Sequence, residues 1–264
     1  MNTGCSRRLL CCALSGLLGC VASIASAADD AAAVTPYRPS VSTPAALSAP
    51  GWVEGEFGVI RTRDGAAARR DSLPNTFKLA FTPDWGVRIG GDALVRQTEF
   101  DGSRATGFGD TAVVLKRRFE VDERSAFGIE LGANTPTAKR ALGSGSGKTD
   151  YSANGIYSAD FAAWHCDLNV IGTRAGARTA GQGRWQGAAA ASLSRALGER
   201  WSVVGEFSGT RQRGAPSTAQ FLAAASYALS RRAVVDFGAA RGLNRASPDW
   251  AAFAGVTVLL GKLF

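Results

Sequence analysis

Trp201-Ser202-Val203-Val204-Gly205-Glu206-Phe207-Ser208 reads as a strand with two unlike faces. A two-residue period puts Trp201, Val203, Gly205 and Phe207 on one side and Ser202, Val204, Glu206 and Ser208 on the other. The pattern recurs outward in both directions. Phe77, Leu79 and Phe81 alternate with Thr76, Lys78 and Ala80, and Trp85, Val87 and Ile89 with Gly86, Arg88 and Gly90. Phe221, Ala223, Ala225 and Tyr227 alternate with Gln220, Leu222, Ala224 and Ser226. From residue 51 onward this texture predicts twelve strands: 51–61, 74–82, 85–97, 109–119, 126–137, 149–161, 164–174, 183–195, 200–212, 217–229, 233–243 and 250–264.

The connections sharpen the fold. Pro83-Asp84, Ala162-Ala163, residues 196–199 and residues 230–232 are short, and 120–125 is nearly as short. Longer Gly, Ser and Arg-rich stretches join most of the others, notably 62–73 and 138–148. Short and long connections therefore alternate along an even number of strands, the layout of an outer-membrane barrel with tight periplasmic turns and longer outer loops. Strands of about ten residues cross the hydrocarbon when tilted. Trp52, Trp85, Trp164, Trp185, Trp201 and Trp250 fall at or near strand starts, where an interfacial girdle would sit. A soluble sandwich or barrel shares the local pattern, but its inward faces would need bulky residues, and Ala188 to Ala191 and Ala223 to Ala225 are thin. The expected fold is all-β, an antiparallel up-and-down transmembrane β-barrel of about 12 strands over residues 51–264.

Two segments precede it. Arg7 and Arg8, the apolar run Leu9 to Ile24 and the small-residue site Ala25-Ser26-Ala27 predict a cleaved secretory signal over residues 1–27. Leu17-Leu18-Gly19-Cys20 is a poorer match to a lipidation site, which would anchor the chain at Cys20 instead. Residues 28–50, with Pro36, Pro39, Pro44 and Pro50, read as an extended leader, because spaced prolines remove donors and fix φ. Four of the five cysteines precede residue 21, so cleavage leaves Cys166 and no disulfide framework. The 264 residues carry a formal charge of +8, yet no basic block interleaves with stacking aromatics, which argues against nucleic-acid binding.

Taking the polar faces as lumenal gives the acids Glu54, Glu56, Asp92, Asp110, Glu130, Asp160, Asp167, Glu206 and Asp236, the bases Lys78, Arg88, Arg96 and Lys116, and also His165 and Asn169. Ion-pair ladders are expected to engage most of these, and the excess acid predicts a path preferring cations or neutral solutes. A single His beside Cys166, with no serine nucleophile motif, does not make a catalytic constellation, and neither metal nor cofactor is expected. Gly143 to Thr149 mimics a phosphate loop with the wrong spacing and precedes a strand, so it reads as an outer loop. Arg61, Arg63, Arg69, Arg70, Lys139 and Arg140 crowd predicted outer loops, where arginine suits the phosphates of lipopolysaccharide. Solvated loop charge is the plainer reading.

Several motifs together resemble one family. They are Arg38-Pro39-Ser40, Pro50-Gly51, Glu54-Gly55-Glu56, Gly107-Phe108-Gly109-Asp110 before Val114-Leu115-Lys116, Asn134-Thr135-Pro136-Thr137 with Asp150-Tyr151, Leu168-Asn169-Val170-Ile171-Gly172, and Gly205-Glu206. This ordered set resembles the outer-membrane barrels of the MetA-pathway of phenol degradation family. Asn134 stands where that family usually has Lys. The resemblance implies handling of small aromatic or apolar compounds, and the expected function is their passive uptake; outer-membrane lipid and lipopolysaccharide are the expected surroundings. A closed structural or surface-interaction barrel is the alternative reading, and a lipid hydrolase or acyltransferase a weaker one.

Overall fold

The computed structural model describes residues 32–138 and 147–264. The signal expected over 1–27, Cys20, Lys139 and Arg140 lie outside the described residues. Val34–Phe264 forms one compact unit. Its strands are β1 (Trp52–Asp64), β2 (Ala68–Ala80), β3 (Trp85–Thr98), β4 (Arg104–Gly107), β5 (Thr111–Asp122), β6 (Ser125–Thr135) and β7 (Asp150–Phe161). They continue with β8 (Trp164–Arg174), β9 (Trp185–Leu197), β10 (Trp201–Gln212), β11 (Thr218–Ser230), β12 (Ala233–Gly242) and β13 (Trp250–Lys262). Each long strand pairs antiparallel with its neighbours in sequence, and β1 pairs with β13 from Trp52↔Lys262 to Arg63↔Trp250. Among the described residues β4 pairs only with the outer end of β3, and the other twelve strands form a closed ring without a free edge.

The side chains are distributed inside out. Phe57, Phe77, Ile89, Ile129, Leu168, Phe207 and Phe237 are exposed on the outer wall. Glu54, Glu56, Lys78, Lys116, Glu130, Asn169, Glu206 and Asp236 are buried within it. Burying ionisable groups while exposing aromatics is unfavourable in water and is the distribution a lipid-facing barrel requires. Trp52, Trp85, Trp164 and Trp201 mark the end that carries the barrel termini and the tight turns. Trp185 and Trp250 begin strands at the opposite end, where the longer loops lie.

Two departures from the sequence pattern matter for function. The expected loop over 62–73 is instead a continuous hairpin, with β1 and β2 joined by a three-residue turn containing Gly65 at φ 60°. The Arg61 Nε to Asp71 Oδ1 contact of 2.7 Å is one of the cross-strand pairs that extend the ladder beyond the apolar belt. Pro74 then interrupts β2. It has no N–H to donate, and the β2–β3 register shifts between Ser72↔Val95 and Pro74↔Asp92. The additional residue in β3 inverts the alternation beyond Asp92. Arg96, expected in the lumen from the parity of Arg88, therefore lies opposite Asp71 and points outward.

Residues 34–50 are extended but lie inside the barrel. The chain enters at the turn end, where the Val34 N–H donates to the Arg231 carbonyl at 2.9 Å, and leaves through a bridge between Pro50 and Ala80. Tyr37, Ser42, Thr43, Ala45 and Ser48 are buried along the way. Ala45 joins Ala126 and Ile156 in a small apolar contact.

Candidate functional site

Spaced prolines prevent the leader from pairing as a strand, so its N–H groups need acceptors of another kind. The lumen supplies them as side chains. Thr35 N–H donates to Glu54 at 2.9 Å and Tyr37 N–H to Glu56 at 2.7 Å. Donors two apart on the leader thus match acids two apart on the inner face of β1. Farther in, Glu206 accepts from Val41 N–H (3.1 Å), Ser42 N–H (2.8 Å) and the Ser42 hydroxyl (2.7 Å). Thr43 N–H donates to Asn169 Oδ1 at 3.1 Å, and Asn169 Nδ2 returns a bond to the Thr43 carbonyl at 3.0 Å. Ala45 N–H donates to Ser158 Oγ at 2.7 Å.

Cations complete the network around Tyr37. Lys78 Nζ lies 2.6 Å from both Glu54 and Glu56 and 3.9 Å from the Tyr37 ring centroid. Lys116 Nζ lies 4.2 Å from the same centroid, donates to the Tyr37 hydroxyl at 3.1 Å and to the Pro44 carbonyl, and sits 3.4 Å from Glu130. Arg88 and Asn154 also bond Glu130. Buried ion pairs of this kind add little net stability but are costly to break from one side.

Arg38 supplies the leader's own cation. Its guanidinium forms a bidentate pair with Asp236 at 3.1 and 3.2 Å. Room for it comes from Gly58 and Gly255, which face each other across β1 and β13. A Cβ at either glycine would fall within 2.6 Å of guanidinium atoms. Only a residue without a side chain leaves this slot open.

Space remains on both sides of the leader. Toward the turn end, a cavity of about 610 Å³ is bounded by leader residues together with Asp160, His165 and Asp167. His165 is held there between Asp160 (Nδ1, 2.6 Å) and Asp167 (Nε2, 3.1 Å). Toward the loop end, a cavity of about 400 Å³ is bounded by Arg70, Arg88, Asp92 and Asp110, and a smaller one of about 190 Å³ by Val41, Ile171 and Ser208.

The candidate residues therefore sort by place. Glu54, Glu56, Lys78, Arg88, Lys116, Glu130, Asn169, Glu206 and Asp236 converge on or around the leader. Asp160, His165 and Asp167 line the turn-end cavity, and Asp92 and Asp110 the loop-end one. Arg70 is a correction: it points inward, 2.8 Å from Asp92 and 3.1 Å from Gln97, rather than outward at a rim. Arg61, Arg63 and Arg69 lie on the β1–β2 hairpin and not in a loop. The sequence reading gives no role to Tyr37, Ser42 and Thr43, and takes Arg38 only as part of a family motif. The signal for them was the lumenal acid excess, which required donors from elsewhere in the chain.

The family model described as "Putative MetA-pathway of phenol degradation" matches residues 65–260. The chain belongs to that family. Among solved structures, this family member is similar to an outer membrane channel from Pseudomonas putida F1, with a TM-score of 0.67, 12% identity, and coverage of 86% of this chain and 100% of that one. It is also similar to the NanC porin (TM-score 0.56, 8% identity, 79% and 100% covered) and the CymD monoaromatic hydrocarbon channel (TM-score 0.51, 10% identity, 82% and 90% covered). At these identities the likeness is one of fold. No curated protein matches the chain.

Proposed function

We propose that this barrel resides in the outer membrane and admits small aromatic or apolar compounds passively, with the segment 34–50 as the element that closes and opens the path. The observation that carries the reading is the leader, which crosses the lumen on side-chain acceptors and leaves cavities on both sides. Family membership and the hydrocarbon-channel fold support the solute class. A lumen of twelve strands is narrow enough for one peptide segment to fill, which suits small solutes rather than a general porin.

The closed form has little free acid to select ions, because Glu54, Glu56, Glu206 and Asp236 are occupied by leader donors or lysine. Release of the leader withdraws those donors together with Arg38. The open form accordingly prefers cations and neutral solutes. Swelling of proteoliposomes in phenol-sized solutes tests the proposal. It predicts slow entry through the native protein, faster entry through leader-release variants, and exclusion of disaccharides. Equal impermeability of native and released forms would favour the closed structural barrel.

A further inference from the structure

We infer that the outer wall carries a binding site for a phosphorylated, multiply acylated lipid of the lipid A type, built on β1, β2, β3 and β13 at the loop end. The inference rests on the outer-membrane reading and is independent of transport.

The wall there has a groove of about 710 Å³. Its floor is apolar, with Val59, Leu73 and Leu94 around a hollow left by Ala252 and Ala254. Small residues on a lipid-facing wall leave room for acyl chains without a buried polar group. Above the floor stand Arg61, Arg69 and Arg96, which also line the groove, with Arg63 beside Arg69. Trp250 is paired with Arg63 and marks the headgroup level at this end, while Arg61, paired with Ala252, lies two residues lower on the same face. Cationic and apolar surfaces thus meet at the depth where phosphates and acyl chains of an outer-leaflet lipid meet.

The arrangement of charge points to an anionic occupant. Arg63 and Arg69 face each other directly across β1–β2, a like-charge pair that is unfavourable on its own. Asp71 engages both Arg61 and Arg69, fixing their guanidinium groups, but a single carboxylate leaves the four arginines with an excess of positive charge. Planar guanidinium groups held at fixed positions suit the oxygens of phosphate better than mobile ammonium groups would. The register shift at Pro74 is what brings Arg96 to this face.

The test uses the full-length protein in detergent and native mass spectrometry with bisphosphorylated lipid A, its dephosphorylated form, and inorganic phosphate as competitor. The phosphorylated lipid should bind about tenfold or more tighter than the dephosphorylated one, as expected for at least one charge-assisted contact. The combined Arg61→Gln, Arg63→Gln, Arg69→Gln and Arg96→Gln variant should lose that preference, and Arg70→Gln, which faces the lumen, should retain it. Should the fourfold variant fail to fold by heat-shift on gels, Arg63→Gln alone and Ala254→Trp, which fills the hollow, should each weaken binding. Equal binding of the two lipids, or equal loss in Arg70→Gln, would overturn the inference. Competition by phosphate at concentrations comparable to the lipid would assign the site to a free anion instead. Since binding is read in detergent, its failure is separable from failure to find the barrel in the outer membrane.

Discussion

Replacing Glu206 by Gln tests whether the leader is what closes the lumen. Glu206 is fully buried and accepts three bonds from Val41 and Ser42, and among the described residues no salt bridge engages it, unlike Glu54, Glu56, Glu130 and Asp236. Hydrogen bonds to an ionised acceptor contribute about 1.5–3 kcal/mol each and neutral ones about 0.5–1.5 kcal/mol. An amide oxygen can keep both Ser42 donors, each weakened by about 1 kcal/mol, while the amide NH2 confronts the Val41 N–H. Val41 is half exposed, so water can take up its N–H and that loss is about 1–2 kcal/mol. The total, about 3–4 kcal/mol, shifts docking by roughly 100- to 1000-fold. Single-channel recording in planar bilayers should show a higher open probability than native protein. Thiol labelling of Val41→Cys, in a Cys166→Ser background, should accelerate in parallel. Unchanged open probability and labelling in a variant that keeps its heat-shift would refute the role given to the leader.

Other outcomes follow from neighbouring contacts. Gly255→Leu should expel the Arg38 guanidinium and reproduce the Glu206→Gln phenotype, as should Arg38→Gln; wild-type closure in both would show that the glycine slot is incidental. Lys78→Met leaves two buried carboxylates without their cation and should lower stability by about 3–5 kcal/mol in urea unfolding, with recovery when Glu54→Gln and Glu56→Gln are added. Phe207→Arg places a charge on the lipid face and should cost about 2–4 kcal/mol of insertion stability if that face lies near the bilayer midplane, measured by folding into vesicles. Reversal potentials of the Gly255→Leu channel should show cation preference; anion preference would contradict the lumenal charge balance.

The barrel was legible because a two-residue period survives wherever one face meets lipid and the other meets polar groups. Trp201 to Ser208 displays it plainly. The 62–73 hairpin was not legible as strand. Beyond the apolar belt both faces carry charge, so Arg61, Arg69 and Asp71 resemble loop residues until their cross-strand contacts are known. Arg96 was misplaced because parity cannot reveal an inserted residue, although Pro74 on the adjacent strand was a hint. The place of the leader was hidden more deeply. A Pro-rich segment has no periodicity, and its partners are scattered over β1, β6, β8, β10 and β12.

That scatter has a consequence for biogenesis. Arg38 sits against Gly58 from the first strand, Gly255 from the last and Asp236 from the one before it; Asp236 and Gly255 already face each other across β12–β13, and Gly58 joins them when the cylinder seals. Contacts to single strands, such as Thr35 to Glu54 and Ser42 to Glu206, need no closure, but the complete seat of Arg38 does. The seam between the first and last strands thus does two jobs at once, closing the wall and completing the pocket that holds Arg38.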